Sequence, residues 1–330
     1  QRELDKNYHE NIFEMPMGLG VSSELGYTVG VRVNGATTEY GVKGNSSGKM
    51  KLTAPFFYSF DKKDLRRDIT CCPFQWTKGV QTLQSFKSWS FGKLRYEWTN
   101  RMIPTGNDDG INRQYMRYAD IVLMRAELEN ELNGASAAVP YLTKIRNRAF
   151  ATSDRATEVT AYVAEAALSK EKMFQAIVDE RAYEFAGELI RKADLIRWGM
   201  LKSKMDETKN KMKAIVSLTD YDSKHPYSQL SGHAYYKMSA YTWTRNGIET
   251  TEKDAKLNLY GLNYGEMDIN PEGYTEFSDS KGEASTWIKD NALEDVIDYL
   301  YVRDPDKYQY WPIFNVNLND NPNLSNYEWY

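Results

Sequence analysis

Cysteine and histidine are nearly missing from this 330-residue chain. The only cysteines, Cys71 and Cys72, are adjacent, and neighbouring cysteines rarely bridge each other because of the strain. No disulfide framework is available. His9, His225 and His233 are the only histidines, and no Cys/His cluster has the spacing of a zinc or iron site. No apolar run approaches the roughly 18 residues that mark a membrane span. One-sided charge is lacking too: 42 Lys and Arg stand against 46 Asp and Glu, a net charge of −4 without long runs of one sign. That disfavours nucleic acid, whose phosphates need a concentrated basic patch. The G-x-S-x-G, H-E-x-x-H and P-loop patterns are absent, and nothing calls for a cofactor. The first residues, "QRELDKNYHENIFE", are neither a signal peptide nor a lipid-attachment sequence.

What is plentiful is aromatic. There are 24 Tyr and 8 Trp against 12 Phe. Tyr and Trp join an apolar face to a polar edge, a bias suited to a wet surface that grips sugars or peptides. Loop packing is the competing use for each such residue. Apolar residues make up 41% of the chain, enough for a sizeable core.

Along the chain, residues 1–112 read as an irregular, loop-rich connecting region. Val29, Val31 and Val33 alternate as in a short strand, the charged stretch "FDKKDLRRDIT" is expected to be partly exposed, and Asp108–Gly110 faintly resembles a calcium loop without its ligand spacing. Residues 113–201 read as the helical core. From Arg113 onward, apolar residues at 115, 118, 119, 122 and 126, and a second line at 121, 124, 128 and 132, predict one broad buried face. Gly134 predicts a stop, and "ASAAVPYLTKIRNRAF" a return helix with Pro140 near its start. After a variable stretch at 151–168, Ser169 is placed to cap a long helix whose buried face is Phe174, Ile177, Val178, Ala182, Phe185 and Leu189, ending at Gly199. Residues 202–330 read as a charged helix, a turn-rich aromatic excursion at 221–247, a further helix near 285–302 and an Asn/Pro-rich tail docked by its aromatics.

The stretch "ERAYEFAGELIRKADLIRWG" (180–199) poses the sharpest question. Glu184 and Glu188 are four residues apart, within the carboxyl separation of a glycoside hydrolase. Yet Arg181, Arg191, Lys192 and Arg197 lie within helical reach of these acids and of Asp194. Such partners lower carboxyl pKa values, whereas a general acid needs a raised one. The pattern reads as an ion-pair lattice, with hydrolysis by Glu184 and Glu188 as the minor alternative and a helical adaptor with only protein partners as another.

Four ordered segments carry a resemblance: "RYADIVLMRAELENELNG" (117–134), "LTKIRNRA" (142–149), "ERAYEFAGELIRKADLIRWG" (180–199) and "YWPIFNVNLNDNPNLSNYEWY" (310–330). Together they resemble the C-terminal half of the SusD/RagB family of outer-membrane nutrient-binding lipoproteins. Phe314 stands where the family often has a second proline, and Ser325 where Gln is common. The resemblance implies a mainly α fold, a SusD-like α/α superhelix of tetratricopeptide-like helix pairs with long loops and a few short strands. It implies a single domain of which residues 1–330 are the C-terminal part, the N-terminal half being absent. It also implies a surface-exposed outer-membrane protein held by a lipid anchor, acting as the lid of a SusC-like TonB-dependent transporter. Glycans would be its ligands, or oligopeptides in the RagB branch, and it would not be an enzyme.

No motif of the family transfers a ligand residue by position. Sugar rings stack on exposed aromatics flanked by polar groups, and two stretches offer that. The first supplies Tyr27, Arg32 and Tyr40, with Asn34 beside them. The second supplies Tyr235, Trp243 and Asn246, with Tyr227, Tyr236, Tyr241 and Arg245. Trp76, Trp89 and Trp198 are assigned to core or seam.

Overall fold

The computed structural model describes residues 10–18, 21–34, 45–72, 74–77, 80–84, 89–94, 109–230, 235–245, 248–258, 275–276 and 297–326. Short elements fill the first third: strand β1 (Asn11–Met15), helix α1 (Leu25–Val29), strands β2 (Val33–Asn34) and β3 (Asn45–Ser46), helices α2 (Ala54–Ser59) and α3 (Arg67–Thr70), and strands β4 (Cys71–Cys72), β5 (Phe74–Thr77), β6 (Val80–Leu83) and β7 (Ser90–Phe91). After β8 (Arg113–Arg117) come helices α4 (Tyr118–Asn133), α5 (Ala135–Ala149), α6 (Tyr162–Ala166), α7 (Lys170–Phe185), α8 (Arg191–Arg197) and α9 (Leu201–Ser217). Strands β9 (Tyr235–Arg245), β10 (Ile248–Asn258) and β11 (Thr275–Glu276) follow, and a one-turn helix lies at Asn315–Asp320.

Helices α4 and α5 form the expected hairpin. Gly134 joins them at φ +88°, a left-handed conformation that costs glycine no Cβ clash. The helix α5 runs unbroken through Pro140. Ser169 caps α7 by accepting a 3.1 Å hydrogen bond from the Lys172 amide, satisfying one of the orphan N–H groups of the first turn. Small Ala119 and Ala126 on α4 and Ala138 on α5 lie in the seam with Leu123, Leu142 and Ile145, and α7 covers them with Met173 and Ile177. A second cluster gathers Phe57, Phe74, Trp89, Met212, Ile215 and Tyr227 around both cysteines, which are unbridged. Among the described residues, no helix is long and apolar enough to cross a membrane.

Several expectations need correction. Residues 113–117 are not helical: β8 pairs antiparallel with β1, so the helix starts at Tyr118. The second apolar line of α4 does not pack, since Ile121, Leu128 and Leu132 are exposed, Leu132 at 75%. The helix after Ser169 does not run to Gly199. It stops at Phe185 and resumes as α8, which leaves Leu189 exposed. The variable stretch at 151–168 is helical throughout most of its length, including a π-helical turn at Ala156–Ala161. Val29 closes α1 rather than lying in a strand. The charged stretch at 60–70 is partly exposed as expected, with Asp61, Lys63, Leu65 and Ile69 at the surface and Asp64, Arg67 and Thr70 buried. The aromatic excursion contains a long hairpin, β9 against β10, in continuous antiparallel register. In the tail, Trp311 and Phe314 face solvent, Trp311 at 81%. The helix expected near 285–302 and the Trp76 side chain fall outside the described residues, apart from 297–302.

The two kinds of α4–α5 position should separate in unfolding experiments. Leu142 is fully buried, and Leu142→Ala is expected to cost about 2–5 kcal/mol through lost transfer energy and a residual cavity. Leu132→Ser, at an exposed site, should stay within about 0.5 kcal/mol of the parent chain. Urea denaturation followed by circular dichroism reads both.

Candidate functional site

Asp194 keeps the Arg197 partner read from its own helix, at 3.3 Å, but the three glutamates meet cations from other elements. Glu180, with no solvent exposure, accepts from Arg66 at 2.7 Å and Arg146 at 2.9 Å. Glu184 accepts from Arg117 at 2.7 Å, Arg66 at 2.9 Å and Arg148 at 3.0 Å. Glu188 lies beyond the end of α7 and binds Lys93 and Arg117, each at 2.7 Å. Arg181, only 2% exposed, holds Asp120 of α4 and Asp194 of α8, each at 2.7 Å. The lattice is therefore tertiary, and Arg191 instead donates to the Val178 carbonyl. Phe185 sits between two of its cations, with the Arg117 and Arg181 guanidiniums 4.6 and 5.0 Å from its ring centroid.

These contacts decide the protonation states. Burial opposes the charge on Glu184, but Arg117, Arg66, Arg148 and Lys93 outweigh it and hold the carboxyl down at about 2. Glu188 is lowered in the same way, with Lys93 and Arg117 overcoming burial. A carboxyl so held stays ionised at neutral pH and has no proton to give a leaving group. The acid–base pair suggested by the spacing of Glu184 and Glu188 is not formed.

Beside this lattice a cleft opens between the β1–β8 ribbon, α1 and the turn at Gly187–Leu189. It holds about 580 Å³ of empty space with its mouth included, and its walls include Leu25, Leu94, Ile111, Glu14, Asn112 and Gln114. Gly187 adopts φ +79°, and a Cβ there would meet the Phe91 ring at 3.2 Å. Two residues on, Leu189 adopts φ +67° without being glycine. The Asp109 carboxylate, fully buried, accepts from the amides of Gly26 (2.8 Å), Tyr27 (3.1 Å) and Ile111 (3.0 Å). It thereby caps the start of α1 and ties it to the irregular segment that leads into β8. No metal-ligand cluster is found among the described residues.

Of the residues picked from the sequence, Tyr27 is half-buried and packs against the second apolar cluster, while Arg32 is exposed. Tyr235 and Trp243 lie in β9, opposite Asn258 and Thr250. Tyr40, Asn246 and the Asn34 side chain lie outside the described residues. Tyr227 is not a surface residue: it is fully buried, against Tyr58 and His225. Sequence reasoning missed the cleft, because its two sides come from residues about a hundred apart and β8 carries a helix-like apolar spacing.

Acid should probe the lattice. The folded pKa of Glu184, about 2, lies below its ordinary 4.5. Between those values the unfolded chain binds more protons, so stability rises with pH there. Its contribution should be complete above roughly pH 5 and disappear as pH falls through about 2. Glu184→Gln should lower stability by about 3–5 kcal/mol at neutral pH by stranding buried guanidiniums, and should flatten part of the acid slope. Thermal unfolding across pH 2–7 checks both signs.

The comparisons with known proteins agree on one relationship. The sequence model of the SusD family matches residues 79–330. SusD-like protein P25 of Formosa agariphila is 48% identical over 90 residues, 27% of this chain and 16% of that protein. A SusD homolog from Bacteroides thetaiotaomicron superposes with a TM-score of 0.52 at 21% identity, covering 62% of this chain and 44% of the other. Surface glycan-binding protein A of the same species, solved with laminarihexaose, gives a TM-score of 0.41 at 20% identity, covering 59% and 44%. The matched regions thus span less than half of each relative's length. The first superposition bears out the mainly helical fold, and the chain belongs to the SusD family.

Proposed function

We propose that this chain is the C-terminal part of a surface-exposed outer-membrane lipoprotein. It binds glycans without cleaving them and passes them to a SusC-like TonB-dependent transporter, over which it sits as a lid. The observation that carries the reading is the family match across residues 79–330. Two physical features support it. The Tyr and Trp excess suits the stacking of sugar rings, and the carboxylates spaced for hydrolysis are neutralised by guanidiniums.

Isothermal titration of the chain with maltohexaose, laminarihexaose and xylohexaose should give saturable heat with at least one of them, while reducing-sugar release stays at background. A response confined to oligopeptides would move the chain to the RagB branch. Sugar release that vanishes in Glu184→Gln with the fold intact by circular dichroism would sink the non-catalytic reading.

A further inference from the structure

The cleft beside the β1–β8 ribbon has features that the ion lattice does not explain. Its floor is aliphatic, from Leu25, Leu94 and Ile111, and its polar groups come from the ribbon and the segment before it. Glu14 has amide partners, Asn11 at 2.7 Å and Asn112 at 3.2 Å, and no salt bridge among the described residues. A carboxylate offers about four lone-pair positions, so Glu14 keeps acceptor capacity in the cleft. Arg113, also in the lining, has no carboxylate partner among the described residues. Its guanidinium instead stacks 4.9 Å from the Tyr115 ring centroid. Glu188, the second acid of the lining, is neutralised by Lys93 and Arg117, so Glu14 and Arg113 leave a lining of balanced charge.

The opposite wall is held in place. Glu188 is fixed by Lys93 and Arg117, and the turn that carries it keeps Leu189 at a positive φ. A non-glycine residue in that region costs on the order of 1–3 kcal/mol and persists where its surroundings over-determine it. The wall and the ribbon are tied by one residue, since Arg117 belongs to β8 and also binds Glu184.

We propose that this cleft is a binding subsite for one neutral sugar unit of a glycan. The C–H face of the pyranose ring lies on the aliphatic floor. Glu14 accepts hydrogen bonds from ring hydroxyls, Arg113 donates to them, and Gln114, whose amide nitrogen also donates to Asn11 Oδ1, offers its carbonyl oxygen. An apolar surface with a few convergent polar groups is the usual construction of such sites, and the cleft is open to solvent, so the ring rests across its mouth. The balanced charge favours an uncharged ligand over a uronate or a phosphate. The inference rests on the glycan-binding reading above and assigns it a place, away from the β9 hairpin that the aromatic pattern favours.

The test uses the full chain and whichever of the three hexaoses gives the strongest heat. Gln114→Leu removes the amide while keeping its bulk, and Leu189→Trp narrows the mouth; neither touches the ion lattice. Both should weaken binding by about tenfold or more, with thermal midpoints unchanged. The pair Tyr235→Ala and Trp243→Ala should leave affinity within about twofold of the parent. Retained affinity in both cleft variants overturns the subsite, as does a loss confined to the hairpin pair, and either result leaves glycan binding standing. Absence of heat with all three hexaoses overturns the glycan-binding reading itself, and the subsite with it.

Discussion

Arg117 is the residue on which the packing of this chain turns. Its guanidinium reaches Glu184, Glu188 and Glu10, so a strand, the end of a helix and the start of the described chain share one cation. Arg181 does the matching task one turn earlier, between Asp120 and Asp194. Two of the four segments that carry the family resemblance are thus halves of one lattice, to which a third adds Arg146 and Arg148. Arg117 and Asp120 of "RYAD" find their counter-charges in Glu184, Glu188 and Arg181 of "ERAYEFAGE". Removing charges from water costs several kcal/mol each unless geometry and extra hydrogen bonds offset it. Arg117 pairs with both oxygens of Glu188, and Arg66 with both of Asp64, which supplies that geometry. Loss of either half would strand the other, which makes the lattice a demanding constraint on both.

The cleft inherits its shape from the same bonds. Lys93 donates to the Glu184 carbonyl at 2.6 Å as well as to Glu188, so the turn after α7 cannot relax toward a longer helix. Gly187 is fitted against Phe91, and Asp109 pins α1 from the other side. The cleft is therefore walled by elements that are each fixed elsewhere, the condition for a preorganised site.

Helices were the legible part of the sequence, because their evidence is local. Gly134, Ser169 and the small residues of α4 each act within a few positions, and the structure uses them as read. What failed was every judgement that depended on a distant partner. Arg113–Arg117 looked helical because Tyr115, Tyr118 and Ala119 keep a helical interval, and only pairing with β1 makes a strand of it. Leu189 continued the α7 pattern, but Glu188 is drawn to Lys93 and Arg117, and the chain turns there. The acids of 180–199 were correctly read as paired, and Asp194 keeps its local Arg197, but the glutamates take Arg66, Arg117, Arg146 and Arg148, which lie far away in sequence. The cleft residues Glu14, Asn112 and Gln114 gave no signal at all, for the same reason.

The long hairpin has a consequence for life in a crowd. Among the described residues β10 is an outer strand of its sheet, and it carries Glu249, Glu252, Lys253, Asp254 and Lys256. An outer strand presents unpaired backbone groups that invite a neighbour's strand, and charged residues discourage that pairing. The charges along β10 thus work against edge-to-edge pairing of two such hairpins.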